Sequence, residues 1–82
     1  MFNVKVLFFA RLREQMGQAE FSIDCPTAVT LGQLRVQLGL QYPAFNTLRG
    51  PVMAAVNQDF AADETLLQQG DEVAFFPPVT GG

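Results

Sequence analysis

Two segments of this 82-residue chain are apolar on both faces of a strand, and they constrain the fold more than any other feature. Residues 2–9 read FNVKVLFF, and residues 72–76 read EVAFF. β-Branched and aromatic residues favour strands, and strands that are apolar on both faces are typical of central, often parallel, positions in a sheet. The sequence therefore predicts a sheet whose first and last strands lie at its centre.

The segment between these strands predicts two helices and a further strand. Residues 10–16 contain good helix formers and end at Gly17, which predicts a short helix with a glycine C-cap. Residues 19–23 predict a second strand. Thr30 is a suitable N-cap for the one long helix, whose apolar face combines three leucines at helical spacing: Leu31, Leu34 and Leu38.

The second half of the chain predicts a loop, a hairpin and a helical turn. Residues 41–51 contain two prolines and a glycine and predict a loop. Residues 52–56 predict a short strand that turns through residues 57–59 into Phe60, which makes a β-hairpin. Residues 63–67 predict one helical turn before the last strand. The elements together indicate an α+β domain.

One long helix can cover only one face of such a sheet. Residues alternate between the two faces of a strand, so the face opposite the helix needs other cover, which a partner protein would supply. We expect Phe9, Phe60 and Phe76 to form this partner-facing apolar patch. The alternative is that Phe60 covers the end of the hairpin and Phe9 belongs to the core, since buried phenylalanine is the ordinary case.

Composition excludes several classes of function. The net charge of −3 and the five Lys and Arg residues provide no basic stripe for nucleic acid. The chain has no histidine and one cysteine, so no Cys/His or Ser/His couple can form. Cys25 lies beside Asp24 without cationic neighbours, which favours a structural role over a reactive one. The clustered carboxylates have neither EF-hand nor zinc-site spacing, so we expect no metal site.

No apolar stretch approaches the length of about 20 residues that spans a bilayer. A single cysteine cannot form an internal disulfide, and no signal-peptide pattern precedes the fold. We therefore expect one cytoplasmic domain.

The printed sequence ends in an uncharged tail, residues 77–82: Pro77, Pro78, Val79, Thr80, Gly81 and Gly82. Six extended residues reach about 20 Å, and the two prolines stiffen the root of the tail. A glycine pair without side chains can enter a narrow channel. Disorder is common at termini and is the alternative, but solvated tails usually carry charged or polar side chains, which this one lacks apart from Thr80.

We expect the reactive group of this chain to be the α-carboxylate of Gly82. A carboxylate is an anion at neutral pH and a poor electrophile, so another protein must activate it. Adenylation followed by attack of a sulfur donor would leave a thiocarboxylate, which makes the chain a group carrier.

Three segments resemble one known family, the small subunits of molybdopterin synthase. Residues 70–82 read GDEVAFFPPVTGG, residues 4–14 read VKVLFFARLRE, and residues 54–58 read AAVNQ. The resemblance implies a ubiquitin-like β-grasp fold, with a mixed sheet of about five strands packed on one main helix. It also implies a β-grasp domain over residues 1–76 and an inserted tail over residues 77–82.

The same resemblance implies the function. A ubiquitin-activating-like adenylyltransferase uses ATP to adenylate Gly82, a sulfur-relay protein supplies sulfur, and the tail enters the large synthase subunit within a heterotetramer. There the thiocarboxylate gives sulfur to cyclic pyranopterin monophosphate, which forms the molybdopterin dithiolene. We therefore expect that the chain alone binds no cofactor and is not an enzyme by itself. The alternatives are a thiamine-pathway sulfur carrier, a ubiquitin-like protein modifier and a plain interaction domain.

Overall fold

A computed structural model describes residues 2–25, 28–47 and 52–77 of the chain. Five strands form one mixed sheet in the order β2-β1-β5-β3-β4. The elements in chain order are β1 (Phe2–Phe8), α1 (Arg11–Met16), β2 (Glu20–Cys25), α2 (Leu31–Gln41), a 3₁₀ helix (Pro43–Thr47), β3 (Met53–Val56), β4 (Asp59–Phe60) and β5 (Glu72–Phe76).

Strands β1 and β5 are neighbours in the middle of the sheet and run parallel, while the other pairs are antiparallel. The prediction that the two doubly apolar strands lie centrally is confirmed. β1 and β5 pair Val6 with Val73 and Phe8 with Phe75, and all four side chains are buried against α2 and its surroundings. The alternate residues of both strands point to the other face of the sheet, which we call the open face.

Helix α2 begins at the predicted cap. The Gln33 N–H donates to Thr30 Oγ1 over 3.2 Å, and the Thr30 N–H donates to Gln33 Oε1 over 2.8 Å, which is a capping box. The helix buries the three predicted leucines in the core: Leu31, Leu34 and Leu38. Gly17 ends α1 in the left-handed conformation, with φ of 76°.

The predicted helical turn at residues 63–67 is wrong. This segment runs beside the start of α2, where the Leu31 N–H donates to the Thr65 carbonyl over 2.8 Å and the Gly32 N–H to the Asp63 carbonyl over 2.9 Å. The first N–H groups of a helix have no partner within the helix. The segment instead forms a turn at residues 63 and 64, closed by the Thr65 N–H donating to the Ala62 carbonyl over 3.0 Å. Leu66 then forms a bridge with Thr30.

The structure also differs from the sequence prediction in a 3₁₀ helix and in the end of the second strand. Residues 43–47 form a 3₁₀ helix within the predicted loop, and the second strand extends to Cys25. The 3₁₀ helix places Phe45 against two core rings, with centroids 6.4 Å from Phe8 and 5.5 Å from Phe75. This aromatic contact provides a reason for local order that residues 41–51 alone do not reveal.

Candidate functional site

The open face contains a depression with a volume of about 290 Å³. Its floor includes two alanines, Ala55 and Ala74, which are register partners on β3 and β5. The two alanine side chains are small and leave a space above the strands, and the larger side chains around them form its walls. The lining residues are Leu7, Phe9, Ala55, Gln58, Phe60, Glu72, Ala74 and Phe76.

The structure brings Phe9, Phe60 and Phe76 together at this depression. Phe9 is 49% exposed and Phe60 is 75% exposed, while Phe76 is half-buried. Large apolar side chains at this level of exposure are candidates for contact with another protein. Phe9 therefore lies outside the core, although its role as a partner contact stays a prediction.

The backbone around Phe9 is fixed from both sides. The Phe9 N–H donates to the Phe75 carbonyl over 3.1 Å, and the Phe9 carbonyl accepts from the Leu12 N–H over 3.1 Å. Ala10 follows with φ of 54° and ψ of −136°, a conformation that alanine rarely adopts. This single strained residue turns the chain from β1 into α1 and keeps Phe9 at the edge of the depression.

Phe60 is positioned by a two-residue hairpin turn. Asn57 and Gln58 have φ of 51° and 74°, the positive values that turns matching the strand twist require. The Asn57 side chain ties this turn to β5, because its Oδ1 accepts from the Glu72 N–H and its Nδ2 donates to Asp71 Oδ1, each over 3.0 Å. Sequence reasoning missed this anchoring role, although an Asn in a tight turn is a signal for it.

The tail is described only at its root. Pro77 follows β5 directly and is half-buried. The predicted roles of Pro78, Val79, Thr80, Gly81 and Gly82 concern residues that lie outside the described part of the chain. Phe76, at the end of β5, lines the open-face depression, so Pro77 begins next to it in the chain.

Cys25 is fully buried within β2. Burial raises the pKa of its thiol above the ordinary value, and the neighbouring Asp24 carboxylate raises the pKa further. A raised pKa disfavours the nucleophilic thiolate. Within residues 2–25, 28–47 and 52–77, no group of three or more His, Cys, Asp or Glu side chains could hold a metal ion. None of the helices described there is long and apolar enough to cross a membrane.

A mixed five-stranded sheet packed on one main helix defines this chain as a ubiquitin-like β-grasp protein. The fold class predicted from the sequence is confirmed. A family model described as the ThiS family matches residues 6–82. The chain belongs to the ThiS family.

Curated relatives match nearly the whole chain. A molybdopterin synthase sulfur carrier subunit from Escherichia coli is 44% identical over 81 residues, covering 96% of this chain and 99% of the relative. A protein of the same name from Arabidopsis thaliana is 34% identical over 80 residues, covering 98% of this chain and 83% of the relative. The family resemblance noted in the sequence is thereby confirmed.

Solved structures of similar proteins share the fold. A putative molybdopterin converting factor subunit 1 from Pyrococcus furiosus has a TM-score of 0.87 at 29% identity, covering 96% of this chain and all of that one. Small archaeal modifier protein 1 from Haloferax volcanii has a TM-score of 0.83 at 28% identity, covering 98% and 99%. A complex of subunits 1 and 2 of molybdopterin-converting factor from Helicobacter pylori matches at 0.72 and 27% identity, covering 99% and 100%.

Proposed function

We propose that this chain is the sulfur carrier subunit of a molybdopterin synthase. The observation that carries the proposal is the 44% identity with the Escherichia coli sulfur carrier subunit, which extends over 96% of this chain and 99% of that relative. The sequence supports the same role, because its histidine-free composition leaves the Gly82 carboxylate as the best candidate for chemistry.

The proposed cycle begins at a free carboxylate on Gly82. The carboxylate attacks the α-phosphorus of ATP on an activating adenylyltransferase, and pyrophosphate leaves. Sulfide delivered by a relay protein then attacks the acyl carbon and displaces AMP, which leaves a thiocarboxylate on Gly82. ATP is a substrate of the activating enzyme, so this chain needs no cofactor of its own.

Sulfur donation takes place in the large synthase subunit. The tail, residues 77–82, enters that subunit, and the thiocarboxylate sulfur attacks cyclic pyranopterin monophosphate to form a thioester. Water then hydrolyses the acyl C–S bond, which leaves the sulfur on the pterin and a free carboxylate on Gly82. Because a dithiolene contains two sulfurs, each product needs two loaded carriers, which agrees with a heterotetramer of two small and two large subunits. This chain donates the sulfur, and the large subunit provides the site for the pterin.

The open-face depression suits docking of the large subunit. It lies beside the root of the tail and exposes Phe9, Phe60 and Phe76, so a protein that covers it also receives the tail. Aromatic side chains frequently dominate the binding energy of protein interfaces. The solved complex of subunits 1 and 2 from Helicobacter pylori supports such an assembly.

We also propose a cytoplasmic location, because a chain with one cysteine cannot use an internal disulfide.

The proposal is tested by intact-mass measurement of the loaded chain. After incubation with the activating enzyme, ATP and a sulfur donor, we expect a species heavier by one exchange of oxygen for sulfur. Omission of ATP and deletion of Gly82 should each abolish this species. The loaded chain should then convert cyclic pyranopterin monophosphate to molybdopterin with the large subunit. Absence of the heavier species under complete conditions would refute the sulfur-carrier function.

A protein modifier is the second candidate, favoured by the TM-score of 0.83 with the Haloferax volcanii modifier. In that case the activated Gly82 would join to lysine amines of other proteins. The same reaction, supplied with total cell protein, distinguishes the two functions. Amide-linked conjugates without a thiocarboxylate species would favour the modifier, and pterin conversion by the loaded chain favours the carrier.

A further inference from the structure

The open face has two chemically different halves. Strands β1, β5, β3 and β4 and the residue after β1, Phe9, contribute the apolar lining of the depression, whereas β2 and the start of β5 contribute carboxylates. Strand register places Glu20 opposite Leu7 and Asp24 opposite Asn3, and it pairs Glu72 with Lys5. Residues directly opposite each other in a sheet point to the same face, so all three carboxylates lie on the open face. We call Glu20, Asp24 and Glu72 the acidic strip.

The acidic strip is not neutralised within the face. Lys5 Nζ lies 3.2 Å from Glu20 Oε2, and Asp24 Oδ1 accepts a hydrogen bond from Asn3 Nδ2 over 3.0 Å. Among the side chains that the structure describes, Lys5 is the one cation that register places on this face. Three carboxylates and one ammonium therefore leave an excess of two negative charges beside the apolar depression.

Protection of the sheet edge is the simplest explanation for charges on β2. Strand β2 is an edge strand, and charged side chains prevent edges from pairing with other chains. This explanation does not extend to Glu72, because β5 lies at the centre of the sheet, two strands away from β2. Glu72 is half-buried and lines the depression itself. A charge at this position needs a different reason.

We propose that the acidic strip docks against lysine or arginine side chains of the protein that covers the open face. The apolar depression supplies burial, and the acidic strip supplies orientation and a faster encounter. Arginine suits this role because its planar guanidinium pairs with a carboxylate through two hydrogen bonds. The partner surface is therefore an apolar anchor flanked by basic residues. The inference rests on the proposed function only in taking the large synthase subunit as the binding protein.

Association kinetics with the purified large subunit test the proposal. The variant Glu20→Gln/Asp24→Asn removes two negative charges from the face but keeps the side-chain shapes. The control Asp59→Asn/Glu64→Gln also removes two negative charges, but away from the open face. Asp59 is the register partner of Val56, which belongs to the face that α2 covers, and Glu64 lies in the segment beside α2. Both control side chains are exposed. Stopped-flow measurements would use the full chain at low and high salt.

We expect the strip variant to associate about three- to ten-fold more slowly than the unaltered chain near 10 mM salt, where screening extends over roughly 30 Å. At 1 M salt, where the screening length is about 3 Å, the two rates should agree within about twofold. The control should stay within about twofold of the unaltered chain at both salt concentrations. Glu72→Gln should slow association, whereas Glu64→Gln should not.

Two results would overturn the acidic-strip proposal. The first is equal slowing by the strip variant and its control, which would show that only net charge matters. The second is an unchanged association rate together with self-association of the strip variant, measured by sedimentation, which would leave edge protection as the role of Glu20 and Asp24. Failure of the unaltered chain to bind the large subunit at either salt concentration would instead count against the proposed function.

Discussion

The rings of Phe60 and Phe76 meet edge to face, with centroids 5.7 Å apart and planes inclined by 63°. The two residues belong to strands that are not neighbours, because β3 lies between β4 and β5. Ala55 of β3 pairs with Phe60, and its small side chain allows the rings to meet above that strand. The contact joins the hairpin to the strand that carries the tail, so the apolar patch and the tail root form one surface.

Phe60→Asp should weaken binding of the large synthase subunit at least tenfold. The ring is 75% exposed, so its replacement removes the proposed interface anchor but little core packing. The free energy of unfolding should therefore change by less than about 0.5–1 kcal/mol. Isothermal titration with the large subunit and urea denaturation measure the two effects. Leu40→Asp is the matched control, because Leu40 is 80% exposed on α2. Equal loss of affinity in both variants would contradict the proposed patch.

The fold was largely predictable because its strongest signals are local. Residues 2–9 and 72–76 are apolar on both strand faces and so indicate two central strands, and Thr30 and Gly17 mark the start of one helix and the end of the other. Residues 63–67 were not predictable, because their conformation depends on N–H groups of α2 that lie more than 30 positions earlier in the chain. The local helix propensity of residues 63–67 is outweighed by hydrogen bonds to the backbone N–H groups at the start of α2, which have no partner within that helix.

The candidate site was predictable only in part. The alternation of β1 and β5 assigns Phe9 and Phe76 to the face opposite the helix, and the hairpin brings Phe60 near them. The alanine floor depends on register between β3 and β5, which sequence periodicity does not specify. The anchoring role of Asn57 likewise depends on pairing with residues 71 and 72. The uncharged tail and the lack of histidine already predicted a group carrier that works through the Gly82 carboxylate, and the family resemblance narrowed this prediction to molybdopterin synthesis.

Adjacent phenylalanines on β5 should respond differently to the same substitution. Phe75 is fully buried, with its ring centroid 6.0 Å from that of Phe8 and the Arg35 guanidinium carbon 5.4 Å above it. Phe75→Leu should lower the free energy of unfolding by about 1–3 kcal/mol through lost packing. Phe76→Leu, on the open face, should lower it by less than about 1 kcal/mol. Urea midpoints measure both, and similar losses would contradict the assignment of faces.

Asn57→Ala should destabilise the hairpin and weaken binding of the large subunit. The substitution removes two side-chain hydrogen bonds and places alanine at φ of 51°. These losses together should lower the free energy of unfolding by about 1–3 kcal/mol. Asn57→Gly separates the causes, because glycine accepts the positive φ but lacks the side chain. The glycine variant should recover part of the stability, and equal stability of the two variants would mean that backbone strain is unimportant here.

Ala10→Gly should stabilise the domain, in contrast to most glycine substitutions. Strain at φ of 54° and ψ of −136° costs about 1–3 kcal/mol, and glycine adopts this conformation freely. The added freedom of the unfolded chain offsets about 0.5–1 kcal/mol of that gain. Ala62→Gly, at an exposed position without positive φ, should show only the loss. Thermal unfolding of both variants measures the difference, and destabilisation by Ala10→Gly equal to that of the control would disprove strain at Ala10.

The buried thiol of Cys25 should make the domain less stable in alkali. Its pKa is raised in the folded chain, first by burial and then by Asp24, so the folded state keeps its proton at a pH where the unfolded state has lost it. The thiol contribution to stability is therefore complete below the unfolded pKa of about 8.5 and is lost as the pH rises towards the folded value. The unaltered chain should have a higher free energy of unfolding than Cys25→Ala at pH 8. This advantage should become smaller as the pH rises above the pKa of the unfolded thiol.

Thiol labelling checks the same environment independently. At neutral pH, Cys25 of the folded chain should react with a disulfide reagent far more slowly than an exposed thiol, because it is inaccessible and holds little thiolate. The double variant Ser22→Cys/Cys25→Ala moves the thiol to an exposed position on the same strand and should react rapidly. In denaturant the two chains should react at similar rates. Rapid labelling of folded Cys25 would show that β2 opens readily or that the thiol is not buried.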